Sequence, residues 1–281
     1  MIRRQVLALL PMVLACGAAP VTPTIELEPP SPAGAAPTQP AFVASPQPPR
    51  RSARPPPRMS LLAGGTYTMG DRRDTVTVEA FALDQTEVTV DAYTSCVASR
   101  ECSDDHLHEW SVDDGQTLHP DAACNYGVPG MGEHPMNCVD WRQASSYCRF
   151  QRKRLPTEEE WEWAARGGND ARQFPWGDEA PDDPLLCWSG ITPRSGTCPV
   201  GSTPAGDALG GIKDLAGNVA EWTASAYGDG TTARVTRGGG WSYDQPQIEG
   251  LRAASRHKHA PSDRLGRLGF RCALGWSDAR R

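Results

Sequence analysis

At 281 residues the chain has room for one large domain or two small ones, and 34 acidic against 28 basic residues give it a net charge of −6. Setting aside the six arginines and two acids of residues 1–58 leaves 22 basic and 32 acidic residues, a net charge of −10 on residues 59–281. A surface of that sign argues against a nucleic-acid backbone as partner, since phosphate binding runs on Lys and Arg, and it is compatible with bound cations.

The N-terminus has the pattern of an export signal. Arg3 and Arg4 form a basic start, and Val6 to Leu14 form an apolar core interrupted by Pro11. That core is too short to cross a bilayer. Val13-Leu14-Ala15 then leads into Cys16, the order expected around the lipidated cysteine of a bacterial lipoprotein. Ordinary cleavage near Ala19 is the alternative. Residues 17–58 contain 13 of the 26 prolines among Ala, Ser and Thr. Such a composition buries too little apolar surface to offset chain entropy and is expected to act as a disordered, extended tether. The expected plan is a signal over 1–16, a tether over 17–58 and a folded head over 59–281. That plan places the protein outside the cytoplasm, held to a membrane by lipid at the periplasmic or cell-surface side.

The head holds eight cysteines, an even number, and no CxxC pair. In an exported chain this reads as disulfides rather than thiols or a zinc site. Cys96 with Cys102, Cys187 with Cys198, and Cys124 with Cys138 would each close a short loop. Cys148 with Cys272 would tie a central helix to the last strand. Spacing alone leaves other connectivities open.

In chain order, Leu61–Gly70 and Asp74–Val88 alternate apolar and polar residues as short antiparallel strands do. Thr89 or Asp91 can cap a helix running to about Arg100. Residues 103–135, rich in Asp, His, Gly and Pro, read as a long irregular loop. Asp140 caps a second helix. Thr157, with Glu160 three residues on, opens a third through a capping box. Trp161, Ala164 and Ala165 share one side of that helix, suited to packing beneath a sheet. From Gly167 to Gly211 the chain is mostly loop. The class is α+β, with coil exceeding either regular element.

The motifs GGTYTMG, LDQTEVTVDAY, HPMNCVDWRQASSYC, KRLPTEEEWEWAARGG, FPWGDE, GIKDLAGNVAEWT, RGGGW and LGFRC follow one another across nearly the whole head. In that order they resemble the formylglycine-generating enzyme family, the sulfatase-modifying-factor domain. The resemblance implies a C-type-lectin-like variant fold with short strands, few helices and much coil. It also implies a structural calcium site at DLAGNVAEW, with carboxylates from Asp214 and Glu221 and carbonyls from Gly217 and Val219. The alternative there is a turn stabilised by Asn218, with Glu221 paired to an arginine. A second family calcium site is not carried over, because ITPRSGTCPV lacks its acidic ligand.

The resemblance fails at the reaction. Active members oxidise a substrate cysteine with copper(I) held by two thiols after the RGGS motif, and those positions fall at Tyr243 and Ile248 here. Copper and formylglycine production are therefore not expected. A further family bridge falls at Ala165 and Arg252, while Cys148 and Cys272 match the other one. The basic run Arg252, Arg256, Lys258, Arg264, Arg267 and Arg271 either lines a groove for an anionic or peptide ligand or pairs with the excess carboxylates. His257 and His259, two residues apart, are either metal ligands or a solvated strand end, and Trp241 borders the presumed groove. Three functions remain: a tethered binding or scaffold module for a peptide, protein or anionic ligand; an oxidoreductase with other metal chemistry, like siderophore-tailoring members; and a formylglycine-generating oxidase.

Overall fold

The computed structural model describes residues 58–70, 73–110, 119–120 and 123–276. The export segment, Cys16 and the proline-rich stretch lie outside the described residues. None of the helices described is long and apolar enough to cross a membrane.

Strands β1 (Met59–Leu62), β4 (Phe81–Asp84) and β11 (Ala273–Gly275) form an antiparallel sheet in the order β1-β4-β11. Strands β2 (Gly65–Met69) and β3 (Asp74–Val78) form a hairpin, and β5 (Glu109–Trp110) pairs with β6 (His119–Pro120). A four-stranded sheet positions the site, in the order β10 (Leu268–Gly269), β7 (Ala220–Ala226), β8 (Arg234–Arg237), β9 (His257–His259). Its register sets Glu221 opposite Arg237 and Thr236 opposite His257.

The expected strand to Val88 ends earlier, at Asp84. Beyond it the backbone leaves the sheet and pairs singly, Val88 N–H to Phe270 O and Met136 N–H to Val88 O. Helix α1 (Val90–Ala98) is capped by Thr89, whose hydroxyl accepts from Ala92 N–H, and ends two residues before Arg100. Helix α2 (Trp141–Phe150) starts from a capping box of Asp140 and Gln143, and α3 (Glu158–Ala165) from one of Thr157 and Glu160. Each such cap satisfies N–H groups that the first helical turn leaves open.

Helix α3 departs from the expected one-sided pattern. Trp161, Ala164 and Ala165 are buried, but so are Glu158, Glu160 and Glu162. The acids survive burial because arginines from elsewhere meet them: Arg237 pairs with Glu158 and Glu162, Arg256 with Glu158, Arg154 with Glu160 and Arg166 with Glu162.

One core cluster packs Tyr93, Tyr147, Trp222, Leu268 and Phe270 between α1, α2 and the four-stranded sheet. A second gathers Tyr67, Phe81, Leu83, Trp161 and Trp163 around α3. A third sets Phe174, Leu186, Trp188 and Leu251 beneath Tyr243. The eight cysteines form Cys96–Cys102, Cys124–Cys138, Cys148–Cys272 and Cys187–Cys198. These are the pairs that spacing favours.

Candidate functional site

The chain leaves β8 at Arg237 and turns through Gly238-Gly239-Gly240, the first two with φ of +91° and +65°. The turn sets Tyr243 on a floor of glycine. A Cβ on Gly250 would come within 2.5 Å of the Tyr243 ring, and one on Gly239 within 3.1 Å. Only glycine leaves room for the ring there. His257 meets the ring edge-on, with centroids 6.1 Å apart.

Tyr243, His257 and Arg267 are shared by two adjoining cavities of about 340 and 490 Å³. The smaller also takes in Thr236, Tyr227 and the β9 side chains. The larger opens toward Ser242, Gln247, Glu249 and Gly250. Burial pushes the Tyr243 phenol up against the opposing effect of Arg267, so its hydroxyl keeps its proton. Burial pushes His257 down, and His259, Arg237 and Arg267 act the same way, while the Gly250 backbone opposes them. The His257 Nε2 atom is buried beside Gly250 without a hydrogen bond of full geometry.

The other groove residues are placed as follows. His259 Nδ1 lies 3.1 Å from Asp263 and its ring meets Trp222 edge-on. Arg256 reaches the wall but gives its guanidinium to Glu158 in two 2.9 Å hydrogen bonds and covers the Tyr227 ring. Trp241 donates to Gly266 O and Arg252 pairs with Glu249; neither lines these two cavities. Ile248 sits half-buried in a 3₁₀ segment, Gln245–Leu251, and also lines neither. Of the two positions where the resemblance puts thiols, only Tyr243 faces the groove. Tyr227 was not legible in sequence; a tyrosine after a strand carries no signal until β9 is laid beside it.

The DLAGNVAEW turn has a different character. Glu221 is fully buried, with both oxygens 2.7–3.0 Å from the Arg271 guanidinium and one also accepting from Trp161 Nε1. Asp214 accepts from Gly201 N–H at 2.5 Å. Glu87, from the LDQTEVT motif, brings a third buried carboxyl without a hydrogen bond of full geometry. Burial first, then Asp214 and Glu221, hold Glu87 well above the ordinary carboxyl range, with Arg271 opposing. Burial also raises Asp214. Two carboxyls meeting in this way are stable when Glu87 keeps a proton and donates it to Asp214, or when a cation lies between them.

Among the described residues no three Asp, Glu, His or Cys side chains converge as metal ligands. The calcium set therefore fits only with backbone oxygens. Asp214 and the Gly217 and Val219 carbonyls would hold the ion, with Glu87 closest in role to a further carboxylate. Glu221 is already committed to Arg271.

Residues 44–275 match the sulfatase-modifying factor enzyme 1-like domain. The chain belongs to this family. Its match begins inside the stretch read as tether. The inactive C-alpha-formylglycine-generating enzyme 2 of Mus musculus is 32% identical over 264 residues, covering 77% of this chain and 85% of that protein. The formylglycine-generating enzyme of Streptomyces coelicolor is 36% identical over 170 residues, 52% of this chain and 54% of that enzyme. The chain likewise spans 54% of the bovine inactive enzyme 2, at 39% identity over 163 residues. Among solved structures, PvdO from Pseudomonas aeruginosa superposes with a TM-score of 0.60 at 24% identity over 77% of this chain and 94% of that one, which establishes the fold.

The eight described cysteines all lie in disulfides, and Tyr243 and Ile248 stand at the expected thiol positions. A phenol and a hydrocarbon do not fit copper(I), which takes soft sulfur ligands. Four disulfides are the usage of proteins that fold in an oxidising compartment.

Proposed function

We propose that the domain is an extracytoplasmic binding module that retains the family's scaffold and does not generate formylglycine. The observation that carries this reading is the bonding of all eight described cysteines to one another, with none of them lining the two cavities that Tyr243 shares. Thiolate chemistry needs a free sulfur, and every described cysteine sulfur is spent on a disulfide. The likeness to a mouse protein whose name calls it inactive supports the same reading. The sequence Val13-Leu14-Ala15-Cys16 supports a lipid anchor at Cys16, with residues 17–58 as the tether. The orphaned carboxyl of Glu87 beside Asp214 supports a bound calcium in a structural role.

The test is direct. Purified domain given copper(I), oxygen and a peptide carrying Cys-x-Pro-x-Arg yields no aldehyde by mass spectrometry. Aldehyde above the level without protein would overturn the reading.

A further inference from the structure

The domain is strongly acidic, yet the smaller cavity beside β9 has no carboxylate in its wall. The basic run around it divides into two groups. Arg252, Arg256, Arg264 and Arg271 are paired with Glu249, Glu158, Asp140 and Glu221. Arg267 and Lys258 have no ion-pair partner among the described residues, and both line the cavity. Lys258 is exposed at the rim, over the Tyr227 ring. Arg267 is half-buried, its Cβ against Gly240.

The floor adds polar groups that lack partners. Thr236 Oγ1 and His257 Nε2, on paired strands, are both buried without a hydrogen bond of full geometry, His257 having only the Gly250 backbone beside it. Buried polar atoms are ordinarily satisfied, so orphans lining a cavity beside unpaired cations require an explanation. Tyr243 adds a protonated hydroxyl. The cavity thus joins a fork of guanidinium donors to hydroxyl and imidazole groups, with no acceptor of negative charge among them.

We propose that this cavity binds an oxyanion group, a carboxylate, sulfate or phosphate carried by a larger ligand, with Arg267 as its principal counter-charge. The inference rests on the binding-module reading and names the chemistry of its ligand. Arg267 meets the oxyanion with its planar fork, as guanidinium groups do. His257 and Thr236 donate from the floor, and Lys258 attracts the anion at the mouth against the net charge of the domain.

The experiment follows the His257 ring signals by NMR while the purified domain is titrated with acetate, sulfate and phosphate, with acetamide as the neutral control. The groups facing His257 are Tyr243, His259, Arg237 and Arg267, so its titration reports local charge. At least one oxyanion is expected to shift His257 saturably and raise its titration midpoint. Arg267→Gln should weaken that response at least tenfold, and Arg267→Lys should restore part of it. Lys258→Gln, at an exposed position that folding does not need, should weaken it more at low salt than at high salt. The proposal is overturned if none of the three anions moves His257, or if Arg267→Gln and Lys258→Gln both leave the affinity unchanged. A response to acetamide with none to the anions overturns it too, while leaving the binding-module reading in place. Aldehyde formation in the copper assay would instead remove that reading.

Discussion

Arg271 and Glu221 form a fully buried ion pair, two charged side chains separated by 50 residues in sequence and joined by three hydrogen bonds of 2.7–3.0 Å. Arg271 also donates to the carbonyls of Asp84 and Lys213. One guanidinium thereby fastens the last motif, LGFRC, to β4, to the turn before DLAGN and to β7.

Removing one partner of such a pair leaves a buried charge unmatched and costs about 3–5 kcal/mol. Arg271→Met is expected to destabilise the domain by about that amount in urea denaturation, since it leaves Glu221 facing Asp214 and Glu87. The double variant Arg271→Met with Glu221→Gln should lose less than Arg271→Met alone. Equal losses would show that the carboxylate is neutralised by something other than Arg271.

The disulfides should differ in worth. Cys148–Cys272 closes a separation of 124 residues and Cys96–Cys102 one of 6. Loop-closure entropy assigns them about 5 and about 2 kcal/mol respectively. Replacing both cysteines of each pair by Ala and comparing urea midpoints tests the ranking. A larger loss from the short loop would mean that native packing, not chain entropy, sets their contribution.

Local signals were legible in the sequence, and long-range pairings, Cys148–Cys272 apart, were not. Thr89, Asp140 and Thr157 announce helix starts because a cap is made with residues two or three positions away. The short disulfides follow the same logic, and the motif order identified the family. Helix α3 held a feature the pattern did not show: Glu158 and Glu162 are buried against Arg237, 79 and 75 residues downstream. For the same reason no pattern could separate Arg267, without an ion pair among the described residues, from Arg256, which is spent on Glu158. Glu87 was hidden likewise, since its position beside Asp214 depends on a backbone that leaves the sheet after β4.

The pH response of the domain should carry the mark of its buried histidines. His257 and His134 are both held below the ordinary imidazole value, chiefly by burial. A histidine depressed in the folded state binds its proton more readily when unfolded. Stability is then full above the unfolded value of about 6.5 and falls as pH drops below it. Thermal unfolding between pH 7.5 and 5.5 should show that fall, and His257→Asn should make it shallower. An unchanged slope in the variant would mean that His257 titrates alike in the folded and unfolded states.

Calcium gives the last expectation. Three carboxyls, Glu87, Asp214 and Glu221, surround one guanidinium, so the buried turn needs another positive charge or a proton on Glu87. If calcium supplies that charge, Asp214 and the Gly217 and Val219 carbonyls hold it, and binding displaces the proton that Glu87 otherwise keeps. Titrating chelator-treated domain with calcium in two buffers of different ionisation enthalpy should therefore reveal proton release, together with a rise in Tm. Asp214→Ala should abolish both. Glu87→Gln, which cannot release a proton, should retain the rise in Tm and lose the buffer dependence. A calcium response that survives Asp214→Ala would place the ion elsewhere, and no response in the parent domain would leave Arg271 and a proton on Glu87 to balance the three carboxyls.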